Sequence, residues 1–399
     1  MATSPRPARP ARTRGSPLSA VRTAAALLLL AAAAVAGDER VKEGQWSKHD
    51  VPKGWTLLET EHYQVQCALG PETTRKLAEH QEHMLTLYEQ FMPTRRKLET
   101  FILKVFPDKK SYCEYSGFKL DTSAVAYYNQ GNKELVGYDC GFVFGKRTIP
   151  DALHLRPSTG DELTDKDRQR IGELCAAATD AYTFDLANVL AHEGWHQYFH
   201  FYTVSWVPMP QWLDEGVGDY FFTAPQNMKD GKVAEYKVGG IFPHRLRKIR
   251  RGLEEGDYTP FEPFIDIDQE AYYDPKRIGV NYAQGWSMVY FLLQNPNPTR
   301  RELIPRLIKD FKDTKNFQKS TDKVFKGEDY DQLGRDWIGW LLSQPVDDPL
   351  LTMAREFGDR LKPEALEGDQ RYIDVYKWYL EHPAYPGVPA EAAPAVQDG

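Results

Sequence analysis

The chain has 399 residues, 41% of them hydrophobic and 27% charged, with 9 Trp, 22 Tyr and 19 Phe. That composition excludes a disordered or low-complexity protein and suffices for one large or two modest cores. The formal charge is −7, which argues against nucleic acid or an anionic membrane surface as a partner.

The first 36 residues read as a secretory signal. Arg6, Arg9, Arg12, Arg14 and Arg22 form a basic start without an acid, and the apolar run Thr23–Ala36 ends in Ala34-Val35-Ala36, small residues where a signal peptidase cuts. The run has 14 residues, short of the roughly 20 that span a bilayer, so cleavage is favoured over an uncleaved anchor. The expected location is exported: periplasm, cell envelope or outside the cell. Loss of five Arg takes the charge to −12. No later segment is long and apolar enough to span a membrane. Cys67, Cys113, Cys140 and Cys175 allow one or two disulfides in an exported chain, with the pairing left open. None forms a Cys-x-x-Cys pair that would suggest thiolate zinc.

Residues 37–54 read as a linker. From 55 to 202 the pattern is α/β: His62–Leu69 alternates as a strand, residues 71–93 carry Leu77, Met84, Leu87, Tyr88 and Phe91 near helical spacing, and Thr100–Pro107 is a short buried strand. SAVAYYN and KELVGYD flank QGN as a hairpin. Residues 141–182 read as an irregular, charged insertion. From Asp185 onward the chain is mainly helical, with helices expected at Asp185–Tyr202, which ends the α/β part, and at Asp214–Phe222, Phe242–Glu254, Asn281–Gln294, Thr299–Lys312 and Tyr330–Ser343 in a helical subdomain at 203–345. A C-terminal extension follows at 346–383, then a disordered Pro/Ala-rich tail at 384–399. The fold class is α+β: an N-terminal mixed sheet with helices, the HEGWH helix, and a helical C-terminal subdomain.

NVLAHEGWHQYFH, Asn188–His200, holds the chemistry. His192 and His196 are i and i+4, about 40° apart around a helix and roughly 6 Å along it, so both imidazoles can reach one zinc. Glu193 is rotated about 100° from His192, beside the metal, where a base for water belongs. His200 is about 12 Å along the axis from His192, too far to share that metal, and reads as a bystander. Asp185 or Thr183 would cap the helix.

A zinc site needs a third protein ligand. A His six residues past His196 would serve, but Tyr202 stands there. In PQWLDEGVGDYF, Glu215 follows His196 after 18 intervening residues, enough for a second helix to return antiparallel and present a carboxylate. Surrounding Trp212, Leu213, Val217, Tyr220 and Phe221 imply burial, and a buried Glu is costly unless a cation neutralises it. Asp219, one turn on, is placed to orient a liganding imidazole from behind.

HEGWH followed by 18 residues and Glu215 resembles the gluzincin branch of zinc metallopeptidases, most closely the peptidase-MA-like domains of exported bacterial proteins, over roughly Glu59 to Leu342. The resemblance implies one Zn²⁺ per chain on His192, His196 and Glu215, with Glu193 as general base. It extends to NYAQGWSMVYFLL, where Tyr282 would stabilise the oxyanion. Aminopeptidases of this branch carry a Gly-x-Met-Glu-Asn segment that this chain lacks, so the expectation is an endopeptidase acting on peptide or protein substrates. The alternative is a zinc-containing, non-catalytic binding or scaffold domain of the cell envelope. Neither substrate nor oligomeric state can be read from the sequence.

Overall fold

The computed structural model describes residues 51–149, 155–157, 163–203 and 209–385. The secretory signal expected at 1–36, most of the expected linker and all but the first two residues of the expected tail lie outside them. The fold is α+β, with a mixed sheet in the N-terminal part and mostly helical structure after it.

The sheet is built from β1 (Thr56–Glu59), β2 (Tyr63–Cys67), β3 (Phe101–Phe106), β4 (Ala126–Asn129) and β5 (Glu134–Tyr138), in the order β1-β2-β3-β5-β4. The two pairings on either side of β3 are parallel; β1–β2 and β4–β5 are antiparallel. β2 and β3 alternate buried and half-buried residues, as expected for strands covered on one face. β5 is buried on both faces, and β1 and β4 are the two edge strands. The expected hairpin forms, its turn held by Asn129 Oδ1 accepting from the Gly131 and Asn132 amides at 3.0 and 3.2 Å. β1 did not stand out in the sequence.

Helix α1 (Pro71–Phe91) covers one face of the sheet with Leu77, Ala78, Met84, Leu85 and Tyr88. After α2 (Lys109–Ser116) and the hairpin, the chain makes the short strands β6 (Phe142–Val143), β7 (Lys146–Arg147) and β8 (Leu155–Pro157) and then α3 (Asp165–Tyr182). The segment expected to be irregular thus contains an 18-residue helix. Its charged surface hid a buried stripe of Ile171, Leu174, Cys175 and Ala178, and Thr164 with Asp167 closes a capping box at its start.

The HEGWH helix is α4 (Leu186–Thr203), and α5 (Gln211–Phe222) follows it. Asp185 caps α4, its carboxylate accepting from the Ala187 amide at 2.8 Å and from Phe144 and Gly145 at 3.0 and 2.7 Å. α4 is buried nearly all round, the mark of an interior helix. The small strands β9 (Pro225–Gln226) and β10 (Glu235–Tyr236) lead to α6 (Pro243–Glu254), then α7 (Phe261–Ile265), α8 (Gln269–Tyr272) and α9 (Ile278–Leu293). The single helix expected at Thr299–Lys312 is split into α10 (Pro298–Arg301) and α11 (Leu303–Thr314); α12 (Phe317–Val324) and α13 (Tyr330–Ser343) complete this region. No helix among the described residues is long and apolar enough to cross a membrane.

The C-terminal extension is helical too: α14 (Pro349–Phe357) and α15 (Gln370–Glu381), with β11 (Leu366–Gly368) paired antiparallel to β8. It packs on α3 to make a second core, distinct from the main one. Tyr385, at the expected start of the tail, is 1% exposed within that core. All four cysteines are free thiols, three of them buried.

Candidate metal centre

The site forms where α4 and α5 run against each other, and glycines set how closely they approach. A methyl group on Gly218 would lie 2.9 Å from the His192 ring. One on Gly216 would meet the Gly285 carbonyl of α9 at 2.7 Å. WLDEGVGD therefore supplies both the acids and the absence of bulk that lets them reach their targets.

Three donor atoms converge. His192 Nε2 lies 3.0 Å from His196 Nε2 and 3.0 Å from Glu215 Oε2; His196 Nε2 lies 3.4 Å from the same oxygen. The residues are 7, 8 and 8% exposed. Each imidazole is held from behind: His192 Nδ1 lies 2.9 Å from Asp219 Oδ1, and His196 Nδ1 lies 2.9 Å from Asp214 Oδ1. A carboxylate accepts and does not donate, so each Nδ1 carries the proton and each Nε2 turns a lone pair inward. Two imidazole lone pairs and a carboxylate oxygen facing one another repel unless a proton or a cation sits among them.

The electrostatics express the same demand in protons. Burial opposes charge on His192, but hydrogen bonds to Asp219 and Glu215 outweigh it and lift the imidazole to about 9. His196 is likewise opposed by burial and raised well above its ordinary value by Asp214 and Glu215. Burial would raise Glu215, yet the two imidazoles pull it well below the usual carboxylate range.

The structure brings together the residues singled out in the sequence. Ligating atoms of His192, Glu193 and His196 lie within 4.8 Å of one another, but Glu215, at 3.0 and 3.4 Å, is nearer to the two imidazole nitrogens and completes the tighter set. Glu193 stands beside it. One of its oxygens, Oε2, accepts from the backbone N–H of Tyr128 at 3.0 Å, on the unpaired side of edge strand β4. Burial raises the Glu193 carboxyl above its ordinary value. Tyr282 shares with His192 and Glu193 the walls of a cleft of about 430 Å³. Burial, and then the Glu215 charge, push its hydroxyl well above its ordinary value, so it keeps its proton. His200 stands apart, 3.0 Å from the Gln130 amide and 4.0 Å from Asp214.

Four supporting groups were not singled out. Asp214 immediately precedes Glu215, and its role behind His196 could have been found by asking what orients the second imidazole as Asp219 orients the first. Arg245 grips Asp219 at 2.6 and 3.2 Å, from a helix 26 residues on, and its guanidinium lies 4.8 Å from the Tyr282 ring centre. The Tyr273 hydroxyl lies 2.9 Å from the second oxygen of Glu215. Neither has a sequence signal, because each arrives from an element whose position only the fold defines. The Tyr128 contact is a backbone one, invisible in residue identity.

No curated protein and no solved structure matches the chain. A family profile described as "Protein of unknown function (DUF1570)" matches residues 186–314, the stretch from the start of α4 to the end of α11 that carries His192, Glu193, His196, Asp214, Glu215, Asp219, Arg245, Tyr273 and Tyr282.

Proposed function

We propose that the protein is an exported zinc-dependent peptide hydrolase, with His192, His196 and Glu215 holding one Zn²⁺. The observation that carries this reading is the donor triangle. Zinc bonds of about 2.0–2.1 Å arranged tetrahedrally place neighbouring ligand atoms roughly 3.3 Å apart, and these three stand 3.0, 3.0 and 3.4 Å apart. Nitrogen and oxygen donors backed by carboxylates suit zinc, and three ligands leave one position open. Bound there, zinc would act as a Lewis acid, polarising a carbonyl and making water acidic enough to ionise near neutral pH.

The remaining steps belong to this chain's side chains. With Oε2 occupied by the Tyr128 N–H, Glu193 has Oε1 free to take a proton from the attacking water and return it to the departing amine. The protonated Tyr282 hydroxyl donates to the charge that develops on the carbonyl oxygen; one such donor is worth roughly 3 kcal/mol. Arg245, under the Tyr282 ring and on Asp219, ties the oxyanion side of the cleft to the His192 side. Edge strand β4 offers backbone groups along which an extended peptide can pair.

A scaffold role would keep the donor triangle but has no use for an acid on the cleft wall, and the position of Glu193 therefore favours hydrolysis. A digest of an unbiased peptide library separates the two. Wild type should cleave internal bonds; Glu193→Gln should retain zinc and lose about 10²–10⁴-fold in rate; Tyr282→Phe should retain zinc and cleave more slowly. Cleavage undiminished in Glu193→Gln would refute the mechanism, and a zinc-loaded wild type that cleaves nothing would favour the scaffold.

A further inference from the structure

Helix α6 has a second basic face, turned away from the metal centre. Arg245 points into the cleft, whereas His244, Arg247, Lys248 and Arg251, at helical spacing along the other side, line a separate cavity of about 250 Å³ closed by Tyr182, Gly279, Val375 and Tyr379. Three cations and an imidazole share this small space, and the cations need compensation. Arg247 has it from an ion pair: Asp348 lies 3.4 Å from its Nε, and the Tyr182 and Tyr379 hydroxyls donate to that same carboxylate; Glu255 and Asp257 act on Lys248 only from beyond ion-pair distance. Among the described residues, neither Lys248 nor Arg251 forms an ion pair. Among the described residues, the buried Arg251 Nε and His244 Nδ1 have no hydrogen-bond partner, although Arg251 lies over the Trp378 ring, 4.2 Å from its centre.

The wall opposite reinforces the same charge. Gly279 is in the first turn of α9, a 16-residue helix whose first turn has no acid, so the positive end of its dipole is uncompensated there. A methyl group on Gly279 would lie 3.3 Å from Lys248 Cε; the missing side chain lets the lysine lie across the helix end. Gly279 also lines the catalytic cleft, so the two spaces share a wall.

We propose that this cavity is an oxyanion-binding site, taking a phosphate or a carboxylate group on Lys248, Arg251 and His244. The volume suits a small anion or the end of a peptide. Burial, and then Arg251, already lower the Lys248 ammonium below its ordinary range, and burial with Arg245 and Arg247 holds His244 uncharged at about 3; a bound anion relieves the first and can accept a hydrogen bond from the second. The assignment does not depend on whether the adjoining cleft hydrolyses peptides, and its test reads binding alone.

Calorimetric titration of the full chain with inorganic phosphate should give a saturable isotherm. Lys248→Gln/Arg251→Gln should weaken it at least about tenfold, as loss of charge-assisted hydrogen bonds requires. Lys326→Gln/Lys377→Gln, removing two cations elsewhere, should leave it unchanged. The single variant Lys248→Gln, which removes no ion pair, should weaken binding while unfolding at the wild-type temperature. Competition by a hexapeptide with a free C-terminal carboxylate, and not by its carboxamide, would identify a peptide terminus as the source; phosphate binding without competition would identify a free anion. Equal phosphate binding by wild type and Lys248→Gln/Arg251→Gln overturns the proposal, as does an isotherm lost in Glu215→Ala and kept in the double variant, which would put the phosphate on the metal. Absence of saturable binding by both phosphate and the peptide acid overturns it too.

Discussion

At the scale of single residues, the centre depends on groups that never touch the metal. Asp214 and Asp219 each fix one imidazole through Nδ1, and Arg245 fixes Asp219 in turn. Asp219→Ala or Asp214→Ala should weaken zinc binding by about 10–100-fold, read by competition with a chromogenic chelator; affinities equal to wild type would show that the imidazoles orient themselves. Asp219 was legible in the sequence because it sits one helical turn from Glu215. Asp214 is equally near in sequence, and asking what orients His196 points to it. Gly218 carries a sharper expectation. Its methyl derivative would strike the His192 ring, so Gly218→Ala should cost zinc affinity while leaving every ligand in place. A Gly218→Ala protein that binds zinc like wild type would mean that α5 can draw back without moving Glu215.

At the scale of elements, strands and helices with a single strong period were readable and those whose polarity had another cause were not. β2 and β3 alternate because one face is covered, and α1 has an apolar stripe because it lies on the sheet; both patterns are local. α4 was found through its histidines rather than its periodicity, because a helix buried on all sides has no polar face to mark. α3 was missed because its solvent face is dense in charge and its partners, α14 and α15, come about 190 residues later in contacts such as Arg170 to Glu356. α1 carries a testable burden. His80, 0% exposed, has its Nδ1 3.0 Å from the Tyr236 hydroxyl and, among the described residues, no hydrogen-bond partner for Nε2. Burial, and then His83, lower its imidazole to about 3. Above pH 6.5 the ring is neutral in both folded and unfolded chains and costs nothing; below it, the unfolded chain takes up a proton that the fold refuses until about pH 3, so stability falls with pH across that window. Between pH 7 and 5 the stability of wild type relative to His80→Gln should fall by about 2 kcal/mol, measured by urea unfolding. A difference independent of pH would mean that the buried ring accepts its proton readily.

At the scale of the whole molecule, the chain folds around two cores that the sequence presents in pieces. Residues 163–178 and 350–385 lie at opposite ends of the helical region, yet they pack as one, and Arg247, held by Asp348 and by the Ala181 carbonyl, ties that second core to α6. α6 therefore joins the two: one side supports the metal centre through Arg245, the other faces the second core through the basic cavity. The α+β class, the mixed sheet and the mainly helical remainder could be read ahead because they rest on composition and period. The union of the insertion with the C-terminal extension could not, since no local pattern encodes a contact between segments so far apart. Everything proposed for function rests on the convergence of His192, His196 and Glu215. The most direct measurement is therefore the metal content of the full chain, purified without chelator. One zinc per chain, lost in Glu215→Ala and kept in Glu193→Gln, is the expected result. A wild-type protein without stoichiometric zinc, or a Glu215→Ala protein that retains it, would contradict the account.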